Sequence, residues 1–134
     1  MPDPVRNTRA MIAGMAPVLE EAEWCFVTGA DPALAALALA SFQEDEGLSL
    51  ILPLAVVRDQ GLAVDLTMRR IKLSVHSALD GVGLTAAAAT ALAEAGIACN
   101  MVAAYHHDHA FVPAGDADRA VSVLQALIAQ HQGG

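Results

Sequence analysis

Segment 70–100 constrains the fold most, because a strand, a glycine turn, a helix and a second strand follow one another closely there. Alternating apolar and polar residues predict a half-buried strand over 71–76. An apolar helical face begins at Leu84 and ends before Gly96, a residue typical of the position just after a helix. A new two-residue alternation over 97–101 predicts the second strand. A unit of this kind buries its helix against a sheet.

The glycine turn between this strand and this helix is the first candidate ligand site. Gly81 and Gly83 allow the backbone to approach a small molecule, and the start of a helix presents amide groups that can hold a carboxylate. The same glycines could serve only the turn and close packing. Asp80 could cap the helix or bind an ammonium group. Asn100, on the following strand, could contact a ligand or satisfy nearby backbone groups.

Composition fits one compact domain or two small units that share a core: the chain has 134 residues, of which 55% are hydrophobic. Aromatic residues make up 4%, too few for a surface that stacks single-stranded nucleic acid. The net charge of −8 disfavours polyphosphate partners, and no basic cluster or long apolar run indicates a membrane. Cys25 and Cys99 are expected to be free thiols, and no secretory signal is recognised, so we expect a cytoplasmic protein.

Short helices and strands are predicted for the rest of the chain. Before residue 64 they are a helix over 8–15 capped by Thr8, a strand over 24–28, a helical turn entering a strand over 33–43, a strand over 48–52 and a helix over 54–60 that follows Pro53. After residue 101 they are a continuing strand, a hairpin turn, a returning strand over 110–112 and a final helix capped by Asp116. The order fits an α+β fold of ferredoxin-like type, an antiparallel sheet with helices packed on one face.

The apolar alternation changes phase at Arg69 and Arg70. Apolar residues fall on even numbers over 64–68 and on odd numbers over 71–75, and one uniform strand cannot place both sets on the same face. Either a bulge lies at the arginines or two strands meet there. We therefore expect two fused units. The predicted division is a leader with a short helix over 1–20, a first unit over 21–69 and a second unit over 70–130.

Histidines form the second candidate site. His107 and His109 would share one face of a strand, and His76 could approach them across the sheet, giving three imidazole ligands for Zn²⁺ or a similar divalent metal. Polar residues are also expected at the hairpin turn that this cluster forms or flanks, for structural reasons alone. General acid–base chemistry is the third interpretation of the cluster.

Three motifs in the second half carry a resemblance to a known family. They are HSALDGVGLTAA over 76–87, LAEAGIACN over 92–100 and YHHDHAFVP over 105–113. The chain is similar to ACT-domain proteins, and in particular to small stand-alone bacterial proteins with two ACT units in tandem. The resemblance implies two ferredoxin-like units, an amino acid or similar small molecule as ligand, and pairing into homodimers.

The resemblance also implies a position for the ligand. ACT units typically bind it at a subunit interface, beside the turn between the first strand and the first helix. In this sequence the implied contacts are Leu79, Asp80, Gly81, Val82, Gly83, Leu84 and Asn100. The sequence thus predicts a non-enzymatic regulatory module without a cofactor. The alternatives are a metal-binding protein or metal-dependent enzyme using His76, His107 and His109, and a ligand-free oligomerisation adaptor.

Overall fold

The fold is taken from a computed structural model, which describes residues 7–75 and 82–132. Its helices are α1 (Thr8–Ala13), α2 (Leu54–Asp59), α3 (Leu84–Glu94) and α4 (Ala117–His131). Its strands are β1 (Pro17–Val27), β2 (Ala40–Glu44), β3 (Gly47–Pro53), β4 (Met68–Leu73), β5 (Asn100–Ala103) and β6 (Asp108–Pro113). Two 3₁₀ helices span Pro32–Leu37 and Ala114–Asp116. None of the helices in the described residues has the length and apolar character needed to cross a membrane.

The chain folds as two compact units. The small unit is Glu21–Met68, and the large unit consists of the described residues of Met1–Glu20 and Arg69–Gly134. Strand β1 contributes residues to both. Part of the segment that the sequence suggested as a leader therefore belongs to the same unit as the C-terminal half. The family-domain bounds over 21–69 and 70–130 stay a prediction.

In the small unit, three antiparallel strands are arranged in the order β2-β3-β1. One face of this sheet carries Cys25, Leu50 and Leu52, which form a core with Leu54 and Val57 of α2. Pro53 directly precedes α2, as predicted, because the fixed φ of proline and its missing N–H suit the start of a helix. The 3₁₀ helix and β2 confirm the predicted helical turn that enters a strand.

In the large unit, the strand order is β1-β4-β6-β5, and the hairpin of β5 and β6 is antiparallel. Helices α1, α3 and α4 pack on this sheet. The core that they share includes Ile71 and Leu73 of β4, Ala110 and Val112 of β6, Ala88 and Leu92 of α3, and Ala120 and Leu124 of α4. The apolar stripes predicted for the two longer helices are thereby confirmed, and the observed architecture is the predicted sheet with packed helices.

The predicted strand over 64–68 is wrong. Only Met68 of that segment lies in a strand, and the side chains of Val64 and Leu66 are 43% and 48% exposed. Arg69 and Arg70 lie inside β4, where Arg69 donates from Nε and Nη2 to the main-chain oxygen of Glu20 at 3.1 and 3.0 Å. The change of phase arises because the strand begins at Met68 and the preceding residues are loop.

Candidate functional site

The predicted ligand-binding turn before α3 is described from Val82 onward, and Leu79, Asp80 and Gly81 lie outside the described residues. The Val82 side chain is 76% exposed. Gly83 occupies the N-cap position of α3 with a left-handed backbone, at φ +104°. The Leu84 side chain is 3% exposed and packs in the core of the large unit, so it anchors the helix start. The exposed part of this turn is therefore at Val82.

Thr8, at the start of α1, holds one side of this turn. Its hydroxyl group donates a hydrogen bond to the main-chain oxygen of Val82. A Cβ atom on Gly83 would lie 2.6 Å from the Thr8 Cγ2 atom, so this position requires glycine for space as well as for its φ angle. The sequence suggested Thr8 as the cap of α1, and this is wrong. The cap is Asn7, whose Oδ1 accepts from the Ala10 amide at 2.9 Å.

Asn100 is the first residue of β5 and is paired with Phe111 of β6. Its side chain is exposed. Asn100 and residues 82–84 belong to the same unit, and a ligand site shared by them stays a prediction.

The histidine cluster lies at the start of β6. His107 is in the hairpin turn, where its main-chain oxygen accepts from the Ala104 amide at 3.0 Å, and His109 is in the strand. Burial lowers the pKa of His109, and the charges of Arg70 and His107 add to this effect. The His109 Nδ1 atom is buried without a hydrogen-bond partner among the described residues.

The three-histidine metal site stays a prediction. His76 lies outside the described residues. Within residues 7–75 and 82–132, no group of three or more His, Cys, Asp or Glu side chains is placed to hold a metal ion. The two cysteines are free, and burial raises the pKa of both thiols.

A cleft of about 360 Å³ in the small unit was missed by the sequence analysis. It lies where β1 ends, at Gly29 with φ +63°, and where Asp31 caps the 3₁₀ helix by accepting from the Ala33 amide at 2.9 Å. Its lining consists of Phe26, Val27, Thr28, Gly29, Ala30, Asp31, Leu34, Gln60, Leu62, Ala63 and Asp65. The signal was present, since a predicted strand is followed by a glycine and then by a helix-capping Asp.

The lining of this cleft combines apolar walls with a few polar groups. Leu34 and Leu62 are partly buried and pack against the core of the small unit. Asp31, Gln60 and Asp65 supply carboxylate and amide groups. An apolar cleft with a small number of polar groups is typical of small-ligand sites, and the carboxylates favour a ligand with an ammonium group.

A groove of about 570 Å³ between α3 and α4 is larger, and its lining is rich in alanine. Alanines 86, 87, 91 and 126 form much of its lining. Its polar lining residues are Thr90, Glu94 and Gln130, and the short alanine side chains give few contacts that would orient a small ligand. We therefore place the candidate site at the two glycine turns.

Comparison with known families gives two matches that together span most of the chain. Family models described as ACT domain match residues 4–69 and residues 66–126. No curated protein matches the chain.

Solved structures give further similarities. A Vibrio cholerae protein of unknown function, described as a possible transport protein, is 40% identical; the match covers 87% of this chain and 92% of that chain with a TM-score of 0.78. The regulatory subunit of aspartate kinase from Thermus thermophilus, in a ligand-free form, is 9% identical over 85% of this chain and 97% of that chain, with a TM-score of 0.62. Aspartate kinase from Clostridium acetobutylicum is 10% identical over 84% of this chain and 34% of that chain, also with a TM-score of 0.62. The two kinase structures show similarity of fold alone.

Proposed function

This chain belongs to the ACT-domain family, and from this premise we propose that it is a non-enzymatic regulatory module that binds an amino acid or a similar small ligand. ACT domains are regulatory units, and the fold of this chain is also that of aspartate kinase regulatory subunits. The specific part of the proposal is the class of ligand, a free amino acid or a molecule of similar size and charge.

The observation that carries the proposal is the glycine turn that each unit contains between a strand and the helix after it. Gly83 precedes α3 with φ +104°, and Gly29 precedes the 3₁₀ helix with φ +63°. A left-handed glycine lets the backbone turn sharply. At Gly83 the Thr8 side chain occupies the space beside the glycine, and the exposed residue of that turn is Val82, whereas beside Gly29 the space is open. At Gly29 this space is a cleft of about 360 Å³, which is within the range of small-ligand sites.

An amino acid carries a carboxylate and an ammonium group, and the two turns offer contacts suited to each. The start of α3 suits its carboxylate, and we propose Leu79, Asp80, Gly81, Val82, Gly83, Leu84 and Asn100 as the contacts of the large unit. In the small unit the Asp31 and Asp65 carboxylates suit its ammonium group. We further propose that the chain forms a homodimer and that the ligand binds where the second copy completes the site.

Thermal unfolding of the full chain with each of the twenty amino acids tests the proposal. A ligand that binds only the native state, at about 100 times its Kd, stabilises that state by about 2.7 kcal/mol and raises the melting temperature. We expect one amino acid, or a few of similar shape, to raise it in a saturable manner. The absence of a shift with all twenty at millimolar concentration would contradict the proposal.

Matched variants assign the binding event to a unit. Asp65→Asn removes a carboxylate that lines the cleft, and Asp59→Asn removes an exposed carboxylate of α2 outside it. A ligand of the small unit should bind more weakly to Asp65→Asn and normally to Asp59→Asn. A ligand of the large unit should instead bind more weakly to Asn100→Ala. Sedimentation of the ligand-bound and ligand-free chain would show whether a dimer is formed.

A further inference from the structure

We propose that one sheet face of the small unit docks a basic, apolar segment of a partner protein. This face, called the aromatic face below, comprises Trp24, Phe26, Phe42 and Ile51. The proposal goes beyond ligand binding, and it concerns a surface through which a regulatory module could act on another chain.

The strand register places these four side chains together. Phe26 of β1 and Ala40 of β2 are both paired with Ile51 of β3. Directly paired residues lie on the same face of a sheet, as do residues two apart in one strand, so Trp24 lies with Phe26 and Phe42 lies with Ala40. The opposite face carries the core with α2, so the helices of the small unit do not cover the aromatic face.

Two of the four residues of the aromatic face are exposed, whereas Ile51 is 7% exposed and Trp24 is half-buried. The side chain of Phe26 is 47% exposed and that of Phe42 is 73% exposed. The outer face of an antiparallel sheet is normally polar, and an exposed apolar patch typically marks a site of interaction. The chain has only three Phe, one Trp and one Tyr, and three of these five residues lie here.

The negative charge of the small unit favours a basic partner. Residues 21–68 contain eight acidic residues and a single basic residue, Arg58, so the unit carries −7 of the chain's net charge of −8. Two copies of the small unit would repel each other through this net charge, whereas a segment rich in Lys or Arg would be attracted. Cationic side chains also bind the faces of aromatic rings, and apolar side chains would cover Phe26 and Phe42.

One acidic side chain of β2 lies on the aromatic face, and two more follow it in the chain. Glu44 follows Phe42 by two residues and therefore shares its face, where it accepts a hydrogen bond from the Ser49 hydroxyl group. Asp45 and Glu46 continue from it in the turn to β3. A docked segment would thus meet apolar and negative groups at neighbouring positions, which fits a partner strand in which apolar and basic residues alternate.

Fluorescence anisotropy with three labelled peptides of equal length tests the proposal on the full chain. One peptide alternates Lys and Leu, the second alternates Glu and Leu, and the third alternates Lys and Ser. We expect the Lys–Leu peptide to bind most tightly, and raising the salt to about 0.5 M to weaken it because exposed charges are then screened. Phe42→Ser should weaken its binding roughly tenfold, a loss of about 1.4 kcal/mol.

Leu37→Ser is the matched control, because Leu37 is 52% exposed in the same unit but lies in the 3₁₀ helix, outside the three strands. It should bind the Lys–Leu peptide like the original chain. Phe42→Ser should keep the melting temperature and any shift produced by an amino acid, so this proposal and the ligand proposal can fail separately. Equal binding to Phe42→Ser, a preference for the Glu–Leu peptide, or no binding would overturn the proposal. A dimer that Phe42→Ser converts to a monomer would also overturn it, because the occupant would then be a second copy.

Discussion

Replacing Gly83 with alanine should destabilise the protein more than the same replacement at Gly29. Both glycines have left-handed backbones, at φ +104° and +63°. Their surroundings differ: a Cβ atom at Gly83 would lie 2.6 Å from the Thr8 Cγ2 atom, and one at Gly29 would have nothing within 4 Å. The pair therefore separates the cost of the backbone conformation from the cost of a steric clash.

The expected magnitudes follow from these two costs. A left-handed backbone costs an L-residue about 1–2 kcal/mol, and the smaller entropy of the unfolded chain offsets about 0.4–1 kcal/mol of it, so Gly29→Ala should lower the free energy of unfolding by about 1 kcal/mol. At Gly83 the Thr8 side chain must also move. Its hydrogen bond to the Val82 oxygen, worth about 1 kcal/mol, would then be weakened or lost. Gly83→Ala should therefore lower the free energy of unfolding by about 2–3 kcal/mol.

Urea denaturation of five variants, three single and two double, measures these differences. Thr8→Ser keeps the hydroxyl group and removes the Cγ2 methyl group, so it relieves the clash with alanine at position 83. The double variant Gly83→Ala with Thr8→Ser should recover roughly 1 kcal/mol of the loss. This recovery, corrected for the effect of Thr8→Ser alone, is the coupling energy of the pair. Gly29→Ala combined with Thr8→Ser should show no coupling.

Equal losses at the two glycines would refute the reasoning, because the space beside Gly83 would then have no influence. A double variant without any recovery would refute it as well. In either case the Thr8 contact would not determine the geometry of the turn before α3.

Other substitutions test the core, the ion pair and the buried histidine. Leu124→Ala should lower the free energy of unfolding in urea by about 2–5 kcal/mol, because this side chain is fully buried in the large unit, whereas Val82→Ala at a 76% exposed position should change it by less than about 0.5 kcal/mol. Arg70→Lys should cost about 1 kcal/mol in thermal unfolding, since lysine cannot reproduce the two bonds from Nε and Nη2 to the Glu20 Oε2 atom at 3.1 and 2.6 Å. Burial lowers the pKa of His109 from 6.5 because it disfavours the charged imidazole in the folded state. The free energy of unfolding should therefore be highest above pH 6.5 and should decline as the pH falls below it. His109→Asn should reduce this decline in urea denaturation measured at a series of pH values.

Local sequence signals predicted the elements that depend on short-range chemistry. Pro53 marks the start of α2 because its backbone suits only a few positions. The stripes that contain Leu92 and Leu124 predicted α3 and α4, because a 3.6-residue period places such residues on one side of a helix. Gly96 was expected just after α3, and its φ of +74° there agrees.

Contacts between residues far apart in the chain could not be predicted. Thr8 meets Val82 across 74 positions, and the hydroxyl group that looked like a helix cap is used in that contact instead. Val64 and Leu66 alternate like a strand, but β4 begins only at Met68. The period of apolar residues shows what a segment could bury, and only the packing of the whole unit decides whether it is buried.

Phe26 connects the two proposed binding events. It lines the cleft at the end of β1, and it also lies on the aromatic face. A ligand that fixes Phe26 in one position changes the surface offered to a docked segment. Linkage then requires that the amino acid and the Lys–Leu peptide change each other's affinity by the same factor, which is roughly 5-fold or more in systems with coupled sites.

The factor is measured by titrating the protein with the Lys–Leu peptide in the presence and absence of one amino acid, the one that raises the melting temperature most. The reverse titration, with the amino acid in the presence and absence of the peptide, must give the same factor. Phe26→Leu, which keeps an apolar side chain but removes the ring, should reduce the factor more than Leu37→Ser does. A factor of one in both directions would mean that the cleft and the aromatic face act independently. The module would then have to transmit ligand binding through the large unit, where the turn before α3 is the remaining candidate.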